Sequence, residues 1–197
     1  MKMESAKRRI AVFASGNGSN AENIIRYFQR PDSGAEVTLV VCNRVGAPVI
    51  DKARRLGVHA EVLTREQIND ESHMMPLLLD HRVDVIVLAG FLLMLPTFII
   101  RSFPDAVVNI HPSLLPKFGG KGMYGRHVHE AVVKARETET GITIHLVSEV
   151  CDGGEVIFQA SVPVDVSDTP DDVEAKVHEL ESRHFAEVID DYFFRNK

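Results

Sequence analysis

Arg9-Ile10-Ala11-Val12-Phe13-Ala14-Ser15-Gly16-Asn17-Gly18-Ser19-Asn20-Ala21 passes from an apolar run into a glycine-rich polar turn, and a helical pattern follows to about Arg30. Six residues dominated by Ile, Val and Phe suit a buried strand, so the segment reads as strand, tight turn, helix, the opening of a βαβ unit. Glycines at 16 and 18 allow backbone N–H groups to approach an anion, and a helix N-terminus favours negative charge. Gly16–Ala21 satisfies the G-x-G-x-x-A pattern. A dinucleotide site also calls for an acid at the end of the second strand. Cys42-Asn43-Arg44 stands there instead, although Arg44 suits a 2′-phosphate. Taken alone, the loop leaves three readings open: a terminal monophosphate, a dinucleotide, or a structural turn.

Working outward, the pattern predicts strands over Glu36–Cys42, Val58–Leu63, Val83–Ala89 and Ala106–Ile110. Helices are expected over Pro48–Leu56, Thr64–His81, Pro96–Arg101 and Arg126–Glu137. Thr64 with Gln67 three residues on makes a capping box. Two late strands, Gly141–Ser148 and Glu155–Val164, flank the turn Cys151-Asp152-Gly153-Gly154. The last helix runs from Pro170 to about Phe194, with Thr169 as N-cap and Asp171 and Asp172 complementing the helix dipole. Val173, Val177, Leu180, Val188 and Tyr192 form its apolar stripe. Alternating strands and helices predict a doubly wound, mostly parallel α/β sheet with helices on both faces, the final two strands adding an antiparallel edge. No linker interrupts the pattern, so residues 1–197 are read as a single domain.

A chain of 197 residues can bury a full core, and a net charge of −6 disfavours nonspecific binding to nucleic acid or anionic membrane. Lys7-Arg8-Arg9 reads as a solvated basic terminus. Cys42 and Cys151 form no CxxC pair and read as reduced thiols of a cytoplasmic protein. Neither a secretory h-region nor an apolar run of about 18 residues is present, so no membrane span is expected.

Three loops follow carboxyl ends of strands, where open α/β sheets bind ligands: Ser15–Asn20, Gly90–Met94 and His111–Pro116. Asn109 and His111, two apart, share one face of a strand. An amide donor and an imidazole on one rigid edge can stabilise an oxyanion and move a proton, the two needs of acyl transfer. If Asp152 reaches His111, its charge favours the protonated, proton-donating ring; otherwise it is an ordinary turn residue. His145 is either a satisfied buried histidine or a supporting partner. His127 and His129 lack a nearby carboxylate or thiol to complete a metal site. His178 and Glu181 share a helix face, which is either solvent or the rim of the phosphate site. Ser113 has no identifiable base partner, which argues against a serine hydrolase.

Ser15–Asn20 (SGNGSN), Leu88–Phe91 (LAGF), Asn109–Phe118 (NIHPSLLPKF), Gly141–His145 (GITIH) and Asp152–Gln159 (DGGEVIFQ) together resemble the folate-dependent phosphoribosylglycinamide formyltransferase family. The likeness runs in order over nearly the whole chain. It implies a Rossmann-like formyltransferase fold and transfer of a formyl group from 10-formyltetrahydrofolate to the amine of glycinamide ribonucleotide. It further implies Asn109, His111 and Asp152 as the catalytic trio. Gly16, Asn17, Gly18, Ser19, Asn20 and Ala21 would hold the phosphate, and Glu181 the ribose hydroxyls. Leu92, Leu93, Met94 and Leu95 would border the folate, with Arg65 near its tail. No metal is implied, the partners are small molecules, and the chain is expected to be a monomer or homodimer. Two departures stand out. Leu93 occupies a position where many members carry arginine. The Gly119–Arg126 loop is longer and richer in glycine than usual; it is read as a flap over the substrate, without a catalytic role. The rival readings are a formyltetrahydrofolate hydrolase, an NADP-binding oxidoreductase and a noncatalytic nucleotide-binding scaffold.

Overall fold

A computed structural model describes residues 7–195. Seven strands form one sheet: β1 (Arg8–Ala14), β2 (Ala35–Cys42), β3 (His59–Val62), β4 (Val85–Leu88), β5 (Val107–His111), β6 (Glu139–Leu146) and β7 (Val156–Pro163). Their spatial order is β3-β2-β1-β4-β5-β6-β7. β1 to β5 pair in parallel, whereas β6 and β7 are antiparallel. The expected doubly wound sheet with a late antiparallel edge is therefore the observed one.

Side chains alternate across the sheet and build two cores. Ile10, Val12 and Ala14 of β1 face α1 (Ser19–Phe28), α2 (Pro48–Arg55), α6 (Arg126–Lys134) and α7 (Pro170–Asp190). Ala11 and Phe13 face the other layer, α3 (Arg65–Ile68), α4 (Glu71–Asp80) and α5 (Thr97–Ser102). Strands buried on both faces explain why β1 and β4 read as continuous apolar runs.

Several boundaries differ from expectation for local reasons. The predicted Thr64–His81 helix is two helices. Its capping box is present, but the Asn69 amide donates to Arg65 O at 2.7 Å and Asp70 accepts from Ser72 N at 2.9 Å, ending one helix and capping the next. β5 includes His111, because antiparallel pairing with β6 extends the ladder to His111 opposite Thr143. Arg8 and Arg9 belong to β1 and engage Asp84 and Glu36, so the basic trio is more than a solvated terminus. α7 ends at Asp190, and a π-helical turn covers Asp191–Arg195.

The strand order reverses between β1 and β4, which opens a crevice at their carboxyl ends. α7 is laced to α1 on one side of it: Asn23 Nδ2 donates to Ser182 O at 2.8 Å, and the Tyr27 hydroxyl to Asp190 Oδ2 at 3.0 Å. Among the described residues no helix is long and apolar enough to cross a membrane.

Candidate active site

A cavity of about 780 Å³ lies over these strand ends. Its walls include the turn after β1, Leu88–Leu95, Asn109–Pro112, the Gly120–Gly125 loop, Asp152, and the α7 residues Glu174, His178 and Glu181.

The first wall is the glycine turn. Gly18 caps α1 in the left-handed region at φ 74° and supplies no side-chain hydrogen bond to the helix. The first N–H groups of a helix have no intrahelical acceptors, so this end is available to an anion. A Cβ on Gly18 would overlap Val49, down to 2.8 Å from its backbone Cα, so only glycine fits. Ala21 is fully buried in the core, and its side chain takes no part in the cavity wall. Ser15 ties this turn to the next loop: its N–H donates to Gly90 O at 3.0 Å, and its Oγ accepts from Leu92 N at 2.9 Å.

Glu181 lies opposite the turn and is buried on α7. Asn20 Nδ2 donates to its Oε2 at 2.9 Å, and His178 Nε2 lies 3.9 Å away. Burial pushes the Glu181 carboxyl above the usual range, while the Asn20 hydrogen bond and the His178 charge oppose that. His178 and Glu181 both border the cavity, with Glu181 buried in its wall and His178 at the solvent-exposed rim.

The remaining polar groups come from β5, β6 and the β6–β7 turn. Asn109 and His145 are cross-strand partners, and Asn109 Nδ2 lies 3.1 Å from His145 Nε2. His145 Nδ1 donates to Leu146 O at 2.8 Å, which leaves Nε2 as the acceptor for Asn109. Burial pushes the His145 ring's pKa down, in accord with a neutral ring. His145 therefore orients the Asn109 amide and leaves its second N–H for another partner. His111 Nε2 donates to Phe118 O at 2.8 Å, and Nδ1 faces Asp152 Oδ2 at 3.6 Å. That separation exceeds hydrogen-bonding range but places charge beside the ring. Asp152 sits at φ 52°, and its Oδ2 accepts from Gly120 N at 2.8 Å. Asn109, His111 and Asp152 are brought together as the sequence suggested, with His145 as their support.

The apolar side of the cavity is Leu88–Leu95 with Ile100 and Val147. Leu92, Leu93, Met94 and Leu95 all line it. Arg65 does not: it is exposed on α3 and is not part of the cavity wall. Arg44, read from the sequence only as a partner for a 2′-phosphate, and Lys121, given no role there, are both lining cations. Their chain positions, after β2 and in an irregular loop, carry no periodic signal. Ser113 is fully buried and donates to Lys117 O at 2.6 Å, a loop-bracing role. No group of three or more His, Cys, Asp or Glu able to hold a metal occurs among the described residues.

The family model described as formyl transferase matches residues 8–189. The chain belongs to the formyl transferase family. It is 34% identical over 191 residues to the chloroplastic phosphoribosylglycinamide formyltransferase of Arabidopsis thaliana, covering 94% of this chain and 65% of that one. It is 31% identical over 186 residues to the phosphoribosylglycinamide formyltransferase of Bacillus subtilis (strain 168), covering 92% and 93% of the two chains. The crystal structure of phosphoribosylglycinamide formyltransferase from Bacillus halodurans superposes with a TM-score of 0.87 at 29% identity, covering 96% of this chain and 97% of that chain. The chain spans less than two thirds of the first curated relatives it matches: 65% of the Arabidopsis protein, 60% of its Vigna unguiculata counterpart, and 19% of the trifunctional purine biosynthetic protein adenosine-3 of Gallus gallus.

Proposed function

We propose that this chain transfers the formyl group of 10-formyltetrahydrofolate to the amine of glycinamide ribonucleotide. One observation carries the reading: a single cavity has an anion-ready helix N-terminus and a buried glutamate at one end, and an Asn–His–Asp cluster at the other. A phosphorylated amine laid along it meets backbone amides through its phosphate and Glu181 through its sugar hydroxyls. Its amine then lies toward His111. The Leu88–Leu95 wall suits the flat, apolar body of a folate. Arg65, outside the cavity, would meet only a folate tail that projects beyond it.

The amine nitrogen attacks the formyl carbon, a C–N bond forms, and the formyl oxygen takes up negative charge. The free N–H of Asn109 and a proton on His111 stabilise that oxyanion. With Nε2 held by Phe118 O, Nδ1 is the nitrogen open toward the Asp152 side. Asp152 relays the proton lost by the attacking amine. The bond from the formyl carbon to the folate nitrogen then breaks, and that nitrogen receives a proton. No covalent bond to the protein is required.

Folate absorbance, followed with and without glycinamide ribonucleotide, tests the proposal. Turnover that requires the ribonucleotide supports it. Formate release without the ribonucleotide would replace it with the hydrolase reading. Untouched folate in both arms would overturn it.

A further inference from the structure

His111 on β5, Thr143 on β6 and Gln159 on β7 stand opposite one another across three strands, so their side chains share one face of the sheet. His111 enters the cavity wall, whereas Thr143 and Gln159 lie outside it. Their polar groups turn instead to the loop that leaves His111. The fully buried Thr143 hydroxyl donates to Ser113 O at 2.7 Å and accepts from Leu115 N at 2.9 Å. Gln159 Nε2 donates to Leu115 O at 3.1 Å and to Thr143 Oγ1 at 2.8 Å. Thr143 Oγ1 thereby uses its one proton and both lone pairs. Gln159 must present its nitrogen, because Leu115 O can only accept.

Two side chains therefore fix three backbone groups of the loop, and the bracing continues along it. Ser113 Oγ donates to Lys117 O at 2.6 Å, and Lys117 N donates to Leu114 O at 3.1 Å. The next carbonyl, Phe118 O, accepts from His111 Nε2 at 2.8 Å. Two residues further on, Gly120 N donates to Asp152 Oδ2 at 2.8 Å. One braced segment thus leaves His111 and returns to hold both His111 and Asp152. The bond made by one ring nitrogen of a histidine sets the role left to the other. With Nε2 tied to Phe118 O, Nδ1 faces Asp152 at 3.6 Å, and a flipped ring would withdraw it.

We propose that Thr143 and Gln159 are positioning residues for the transfer step: by pinning the loop after β5 they hold Phe118 O where it keeps Nδ1 of His111 turned to Asp152. The step that the ring serves rests on the transferase reading above. A displacement of about 1 Å in a reacting group costs on the order of a hundredfold in rate, so a brace outside the cavity can govern the chemistry inside it. Neither residue lines the cavity, so ground-state binding of both substrates is left intact and the loss falls on kcat.

The test compares the unsubstituted protein with Thr143→Val, Thr143→Ser and Gln159→Leu. Thr143→Val keeps the shape and removes the hydroxyl, and Thr143→Ser restores it. Gln159→Leu removes the amide from an exposed position, so it decides the matter should Thr143→Val not fold. Initial rates against each substrate at saturation of the other are expected to show kcat lowered about ten- to a hundredfold in Thr143→Val and Gln159→Leu. KM for both substrates should stay within about twofold, and Thr143→Ser should recover kcat to within about threefold of the parent. Parental kcat in both disruptive variants, with only the melting temperature lowered, would reduce the pair to structural residues and overturn the proposal. A loss confined to KM would overturn it as well. The ¹⁵N resonances of the neutral His111 ring provide a readout independent of activity: a single tautomer with the proton on Nε2 in the parent, and a mixture of tautomers in Gln159→Leu. An unchanged ring spectrum would overturn the proposal whatever the rates. If the unsubstituted protein shows no ribonucleotide-dependent transfer, the transferase reading itself fails, and the ring spectra alone decide whether the pair positions His111.

Discussion

Replacing Gly18 with alanine strikes the anion turn at its most constrained point. The residue sits at φ 74°, where a Cβ costs about 1–2 kcal/mol. That Cβ would also lie 2.5 Å from Val49 Cβ and 2.8 Å from Val49 Cα. Overpacking of this kind costs about 1–3 kcal/mol. The sum is about 2–5 kcal/mol, which in a domain of this size lowers the melting temperature by roughly 4–20 °C. Because the overlap reaches the Val49 backbone, shortening Val49 to alanine in the same protein should restore little. Gly16→Ala is the internal control: no atom lies within 4 Å of its added Cβ, and its φ is not positive. It should stay within about 0.5 kcal/mol of the parent. Urea unfolding midpoints for the two single variants and the Gly18→Ala/Val49→Ala pair give the comparison. Equal stability of the Gly16 and Gly18 variants, or full recovery in the pair, would refute the steric reasoning.

His111→Ala should lower kcat by about a hundred- to ten-thousand-fold while leaving ribonucleotide binding by calorimetry near that of the parent. Glu181→Gln removes a buried charge and can keep the Asn20 hydrogen bond through its amide oxygen. It should hold or raise the melting temperature at neutral pH yet raise KM for the ribonucleotide by about tenfold. Burial lowers the His145 pKa below the ordinary 6.5, so its contribution to stability is full above pH 6.5 and is lost as pH falls through the folded value. His145→Gln should therefore flatten the decline in urea midpoint below pH 6.5. The raised pKa of Glu181 acts in the opposite sense: its contribution is present below the ordinary value of 4.5 and lost as pH rises through the folded value, so Glu181→Gln should flatten any decline above pH 4.5.

Apolar runs such as Val83–Ala89 made the strands and their parallel order legible, since burial on both faces leaves a continuous signal. The Asn109–His111 pair was legible for a similar reason, since residues two apart on one strand share a face, whereas Asp152 was legible only as either a partner of His111 or an ordinary turn residue. What escaped were features set by distant partners. His145 orients Asn109 through antiparallel register, and periodicity alone left its role undecided. The break at Asn69–Asp70 depends on side chains competing with the helix for backbone groups, which an apolar period does not record. His129 sat in a suggestive HxH pair. Its burial, which leaves Nδ1 unpaired among the described residues, depends on how α6 docks against α7.

Ser15 commits both its N–H and its hydroxyl oxygen to the loop after β4. The anion turn and the apolar wall therefore cannot shift independently. A ligand that orders one of them has already met part of the entropic cost of ordering the other. Two hydrogen bonds of about 0.5–1.5 kcal/mol each bound the coupling at about 1–3 kcal/mol, or roughly 5- to 150-fold in affinity. Linkage makes the effect reciprocal: whatever factor the ribonucleotide adds to the folate's affinity, the folate must return to the ribonucleotide. Ser15→Ala would loosen both binding equilibria together, although it touches the substrate-binding groups of only one.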